Sequence, residues 1–342
     1  MLLQLRVLAI AIAALVVGWL LMLALVWIAA GTKDLSPIVA SGTQQYLNAL
    51  TIGAIYALIA LGYTMVYGII ELINFAHGDV FMVGAFLSLY LMTSLGFSGA
   101  ISNPLLLVGV LVLVFVVTMI VMGLLGVGIE RFAYRRLRNA PRLAPLITAI
   151  GVSFILQNFI QVFTNSQVPS PQLISLSNRF DFLGASIAYL NVLIFIIAIV
   201  LMIGLQVFVT GTRLGRAMRS TAQDREAAQL MGVDINLTIA VTFFIGSALA
   251  GAAGIVYGLY FGNIQFNIGF FAGLKAFTAA VLGGIGNTVG AALGGFLIGF
   301  IEVGSVVVGL SRWSEALVFT VLILVLVFRP SGLLGQPLGE RA

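Results

Sequence analysis

The stretch "ELINFAHGD" (71–79) gathers the only histidine of the chain, His77, with Glu71, Asn74 and Asp79, between two long apolar runs. Three uses are open to it. Asn74 can cap a helix that begins at Phe75, with His77 at its third position. The free N–H groups and partial positive charge of such a helix start can receive a carboxylate, as discontinuous helices do in transporters. The plainer alternative is a turn at one membrane face, with Glu71 and Asp79 solvated and His77 at the interface. The third is part of a gate at that face.

Two polar stripes sit inside apolar segments. Ser153, Gln157 and Gln161 recur every fourth residue with Asn158 beside them, and Tyr56, Tyr63 and Tyr67 run with Thr64. Residues four apart share one helix face. Such a face either lines a path for a polar solute or hydrogen-bonds to a neighbouring helix. Lys275 begins another apolar segment, where it either snorkels to the outer interface or offers a cation near an outer vestibule. An acid–base or metal enzyme is excluded by what is missing. There is no cysteine, a single histidine and no pair of acids at metal-ligand spacing. No G-x-x-x-x-G-K-[ST] occurs, and "GFFAGLKAF" (269–277) lacks the Gly-Lys pair. "GGIGNTVG" (283–290) follows no strand and belongs to no βαβ unit, so it is not a dinucleotide loop.

The elements that must position these residues are membrane helices. The 342 residues are 61% hydrophobic and 8% charged, with a mean hydropathy of +1.17, where a soluble domain carries roughly 25% charged residues. Apolar runs near or above the ~20 residues of a spanning helix occur at 7–30, 44–70, 80–97, 104–128, 143–163, 187–210, 237–261 and 313–328. The run after Arg6 is too long for a signal peptide core and is expected to be retained.

Charge asymmetry orients them. "ERFAYRRLRNAPR" (130–142) and "GTRLGRAMRSTAQDREAAQLMGVD" (211–234) carry nine arginines and are expected in the cytoplasm. Counting outward puts Arg6 and 71–79 inside, and 31–43, 98–103 and 164–186 outside with Lys33 and Arg179 as their cations. The glycine-rich run 271–309 is too long for one span. A break near "GGIGN" (283–287) returns the tail, with Arg329 and Arg341, to the inside, since glycine permits a break where the freed backbone is buried in protein. The expectation is an all-α polytopic membrane protein of about nine or ten segments, one or two of them discontinuous. It is one transmembrane domain over 1–342, with an extra N-terminal span in 1–40. Small residues at every fourth position, Gly246 to Gly262 and Gly286 to Gly294, suit close helix packing within the chain or against another subunit.

The loop at 211–236 carries a pattern of its own. "TAQD" (221–224) is a capping-box pattern, with Thr221 as N-cap and Asp224 at N3, opening a short helix to Met231 that ends at Gly232. "EAAQLMG" (Glu226, Ala227, Ala228, Gly232) is similar to the loop by which bacterial ABC importer permeases contact their ATPase subunits. "LTIGAIYALIALGYTMVYGIIELINFAHGDVFMVGAF" (50–86), "AIGVSFILQNF" (149–159), "RLGRAMRSTAQD" (213–224) and "GLKAFTAAVLGGIGNTVGAALGGFLIG" (273–299) resemble, in order, segments of the permease subunits of branched-chain amino acid ABC importers, the shorter of the two paired permeases. The resemblance covers roughly 42–335.

It implies an ABC importer permease fold in the bacterial cytoplasmic membrane. The implied partners are a second homologous permease, two cytoplasmic ATPases that hold ATP and Mg, and a substrate-binding protein outside, with membrane lipid around the chain and no nucleic acid. It implies no cofactor and no catalysis on this chain. Arg219, Asp224, Glu226, Ala227, Ala228 and Gly232 then belong to the ATPase-coupling loop, and Tyr56, Tyr63, Asn74, His77, Ser153, Gln157, Gln161 and Lys275 become candidates for the substrate path. Relatives that carry urea or short amides share the pattern, and a stand-alone secondary transporter or channel is the rival from outside the family.

Overall fold

The structure is a computed structural model and describes residues 2–31, 34–70, 72, 74–138, 140–141, 143–164, 167–174 and 178–335. Lys33, Glu71, Arg142 and Arg341 lie outside the described residues. The first six helices are α1 (Leu2–Ala30), α2 (Leu35–Ile70), α3 (Ala76–Ser94), α4 (Pro104–Ile129), α5 (Leu143–Phe163) and α6 (Tyr189–Gly211). Two short helices, α7 (Arg213–Gln223) and α8 (Arg225–Leu230), interrupt the apolar series before α9 (Ile235–Phe261), α10 (Ile268–Gly283), α11 (Thr288–Val307) and α12 (Ser314–Phe328) complete it. Eight helices are long and apolar enough to cross a membrane, and the 16-residue α10 is too short to do so alone. The chain is an all-α polytopic membrane protein.

The predicted break in the glycine-rich run lies where the sequence places it. α10 ends at Gly283, Gly284 and Gly286 take φ of 107° and 85°, and Asn287 caps α11 by accepting from Gly290 N at 3.0 Å. Leu333 and Leu334 fold back onto this break. Leu333 N and Leu334 N donate to the carbonyls of Leu282 and Gly283, and Asn287 Nδ2 donates to Leu334 O at 2.8 Å.

α2 is the centre of the bundle, packed against α9, α10 and α11, and α3 fills the space between α9, α10, α4 and α5. Glycine makes these contacts close. A Cβ on Gly295 would come within 2.4 Å of the Ala57 backbone, and one on Gly254 within 2.5 Å of Phe81 O. The small-residue series therefore serves packing within the chain.

Three local expectations are corrected. First, Asp79 is not solvated and His77 is not interfacial: they are 1% and 0% exposed. Gly68 abuts Gly286 at the arginine-rich end, whereas Gly62, six residues earlier, abuts His77. The first turn of α3 is thus packed against α2 rather than exposed. Gly78 against Gly269 and Gly273 gives the chain room to start a helix there.

Second, the arginine-rich segment after α4 is not all loop. Glu130–Tyr134 continues as a π-helical turn and Arg135–Leu137 as a 3-10 turn. Third, the 164–186 region carries strands. β1 (Gln167–Pro169) pairs antiparallel with β4 (Asn263–Gln265), and β2 (Arg179–Phe182) with β3 (Ala185–Ala188), so the α5 end is tied to the α9–α10 junction.

Candidate functional site

A cleft of about 490 Å³ opens between α2, α3, α5 and α10. Tyr63 comes from α2 and Phe75 from the residue before α3. Ile150, Ser153, Phe154 and Gln157 come from α5, while Asn267, Phe270, Phe271, Gly273 and Leu274 come from the start of α10. Its wall is mostly aromatic and aliphatic, with a few hydrogen-bonding groups, which is the make-up of a small-molecule site. Three residues of the two predicted polar stripes, Tyr63, Ser153 and Gln157, therefore meet in one cavity.

The α5 stripe has a partner in Asp79. Asp79, in the first turn of α3, is 1% exposed. Ser153 Oγ donates to its Oδ2, and Gln157 Nε2 donates to its Oδ1 at 3.0 Å and reaches Ser153 Oγ at 3.3 Å. A buried carboxylate among apolar helices needs such donors, because desolvation disfavours its charge. No lysine, arginine or histidine among the described residues makes an ion pair with Asp79. The signal that could have found it is the stripe itself: donors facing inward from α5 require an acceptor on the helix they pack against.

The other candidates are placed elsewhere. Gln161 is exposed, one turn beyond the cluster, and Asn158 Nδ2 donates to Phe154 O of its own helix. Asn74 is not a side-chain cap. Phe75 holds the N-cap position without a side-chain bond, and Asn74 Oδ1 instead accepts from Tyr134 OH at 3.1 Å. The π-helical turn accompanies the burial of Tyr134, which is 1% exposed. His77 is at the second helical position and fully buried behind Tyr63, ring centroids 4.6 Å apart and edge-on. Neither of its ring nitrogens has a hydrogen-bond partner among the described residues. It does not line the cleft.

Tyr56 and Lys275 belong to a separate, partly buried ionic group. Lys275 lies two turns into α10 rather than at its start. Its Nζ reaches Glu302 Oε1 of α11 at 3.2 Å and Glu315 Oε1 of α12 at 3.8 Å. Tyr56 OH donates to Glu302 Oε2 at 2.8 Å, and the Lys275 ammonium stands 5.9 Å from the Tyr56 ring centroid. The lysine stays buried because two acids draw it along the bundle.

At the arginine-rich end the capping-box expectation is corrected. Thr221 is inside α7, with its hydroxyl on Ala217 O, and Asp224 is itself the N-cap of α8, accepting from Ala227 N at 3.0 Å. The predicted helix therefore starts three residues later, at the extended Asp224, and a separate helix, α7, precedes it. Gly232, at φ 84°, ends α8 as expected: Gly232 N donates to Gln229 O and Val233 N to Ala228 O, the two bonds of a Schellman motif. Arg219 turns back to donate to Val209 O, and Ala228 is buried. Glu226 and Ala227 are exposed, and Leu230 and Met231 are 88% and 85% exposed.

Comparison with known proteins agrees with this architecture. The family described as branched-chain amino acid transport system / permease component matches residues 45–326. The high-affinity branched-chain amino acid transport system permease protein BraD of Pseudomonas aeruginosa is 45% identical over 304 residues, 87% of this chain and 97% of the relative. LivH of Escherichia coli is 42% identical over 302 residues, with the same coverage. A probable branched-chain amino acid transport permease protein LivH of Methanocaldococcus jannaschii is 31% identical over 230 residues, 65% of this chain and 66% of the relative. No solved structure matches the chain. With eight helices able to cross a membrane and a family match that spans most of its length, the chain belongs to the branched-chain amino acid transport permease-component family.

Proposed function

We propose that this chain is a membrane permease subunit of an ATP-driven importer that passes branched-chain or other hydrophobic amino acids into the cytoplasm. The observation that carries the reading is the cleft: apolar walls for an aliphatic side chain, and Tyr63, Ser153, Gln157 and Asn267 as weak donors and acceptors for the ends of a zwitterion. Weak polar contacts suit passage, since tight binding in the path would trap the cargo and selection can rest with a separate binding protein.

In this reading the exposed face of α8, with Glu226, Ala227, Leu230 and Met231, docks on an ATPase subunit in the cytoplasm. Two such subunits hold ATP and Mg and perform the hydrolysis. A second homologous permease completes the path, and a substrate-binding protein delivers the amino acid from the outer side of a bacterial cytoplasmic membrane. The tail and the α10–α11 break pack at the same end as α7 and α8, which supports one common cytoplasmic face.

Reconstitution tests the proposal. Proteoliposomes holding both permeases and both ATPases, with the binding protein outside, are expected to take up labelled leucine only when ATP is supplied to the ATPases. Leucine entry through this chain alone, unaffected by a hydrolysis-dead ATPase, would identify a secondary transporter instead.

A further inference from the structure

Asp79 is an anomaly among the buried charges of this bundle. Glu302 has Lys275 and Glu130 has Arg138, whereas Asp79 has only the neutral donors Ser153 and Gln157 among the described residues. An ionisable side chain kept inside a membrane bundle is expensive and ordinarily functional. The position of its two donors indicates what it serves, because both also line the cleft. From the other side the carboxylate is covered by α10: a Cβ on Gly269 would come 2.5 Å from Asp79 Oδ1. The charge is thus one side chain removed from the open volume, on the α5 side.

We propose that Asp79, acting through the Gln157 amide, forms the subsite that receives the ammonium group of the transported amino acid, while Phe154, Phe270 and Phe271 contact its aliphatic side chain. This rests on the reading of the cleft as part of the translocation path. Gln157 Nε2 is engaged by Asp79 Oδ1 and Ser153 Oγ, which leaves the amide carbonyl as an acceptor. Hydrogen bonds in a chain polarise one another in a low-dielectric interior, so a carboxylate on the NH₂ side raises the negative charge on that carbonyl oxygen. An ammonium placed there meets an acceptor backed by a full charge, yet does not form a direct ion pair that would hold it. An aliphatic carboxylate without the amine gains nothing at this position. Asp79 is a positioning residue in this arrangement, and Gln157 is the group that touches the cargo.

The absence of cysteine from the chain makes a direct test available. Leu274→Cys places a single thiol of this chain in the cleft, and its modification by a small methanethiosulfonate is followed by mass in the assembled permease–ATPase complex in nanodiscs. Leucine and 3-methylbutylamine are expected to slow the modification, about tenfold at a concentration ten times their dissociation constant, while 4-methylpentanoate is not. Asp79→Asn is expected to abolish protection by the amine, and Asp79→Glu to restore part of it. Gln157→Leu, which keeps the volume and removes the acceptor, is expected to lose protection too, and it serves if Asp79→Asn does not accumulate. Equal protection by 4-methylpentanoate, or undiminished protection in Asp79→Asn or Gln157→Leu, overturns the subsite. Leucine uptake by the wild-type complex separates the two levels: its absence defeats the transport reading, whereas uptake with undiminished protection in Asp79→Asn defeats the subsite alone.

Discussion

Arg225 Nη2 donates to the backbone carbonyl of Ile69 at 3.1 Å, joining the short exposed helix α8 to the last turn of α2. Ile69 lies in the last turn of α2, and α2 and α3 both contribute to the cleft wall or its backing. Arg225 is thus one of the links between α8 and the helices of the cleft, beside the packing of α8 on α7 and α9.

Arg225→Ala is expected to uncouple the two ends. A hydrogen bond from a charged group is worth about 1.5–3 kcal/mol, with a half-buried one at the low end. Leucine uptake by the reconstituted complex should fall several-fold while binding of the ATPase in pull-down stays near wild type. Uptake at the wild-type rate would remove Arg225 from the coupling route.

The face of α8 is expected to be the ATPase contact itself. Glu226→Lys, Ala227→Trp and Leu230→Asp change exposed positions, so none should alter membrane insertion or thermal stability by more than about 0.5 kcal/mol. Each should weaken co-purification with the ATPase, Leu230→Asp most, since a large apolar anchor carries more docking energy than a rim charge. Undiminished co-purification with all three would place the contact elsewhere.

The Lys275–Glu302 pair is expected to behave as a buried ion pair. Lys275→Met leaves Glu302 only the Tyr56 hydroxyl and Glu302→Leu leaves Lys275 only the more distant Glu315, whereas replacing both by apolar groups is close to neutral. Lys275→Met and Glu302→Leu should each lower the melting temperature in detergent, and the double variant should recover most of the loss. Additive losses in the double variant would show that the two groups act independently.

His77 is expected to be a packing residue. Its ring lies behind Tyr63 and against Gly62, where an added Cβ would come 2.3 Å from Nε2. Gly62→Ala should therefore reduce the amount of folded protein, by about 1–3 kcal/mol of stability as overpacking usually does. His77→Ala should lower leucine uptake only in step with the folded amount. Uptake that falls far more than expression would return the imidazole to the path.

Much of the site was legible before the fold. Ser153 and Gln157 announce an inward polar face because they recur at the helical period in an apolar segment. The break at "GGIGN" follows from a run too long for one span and too rich in glycine to stay helical. Asp79 was not legible, because its donors lie 74 and 78 residues away and nothing local to α3 specifies which helix it meets. The misplaced cap at Thr221 has a local cause: Thr221 and Asp224 both offer side-chain acceptors, and the extended backbone chosen by Asp224 decided between them.

By itself the sequence determined the class of solvent, the number and order of the apolar segments, their small-residue faces and the glycine end of the short helix before α9. These are properties of single segments: length against bilayer thickness, period against helix geometry, and the affinity of Asx and glycine residues for helix ends. Only the tertiary structure decided depth and partnership. It packed the first turn of α3 against α2, turned Lys275 toward two acids, hid His77 and brought Asp79 to the back of an aromatic cleft. Those outcomes depend on which glycine faces which backbone across α2, α3, α9 and α10. A close contact between helices is a sum of atom-to-atom distances that no single segment contains.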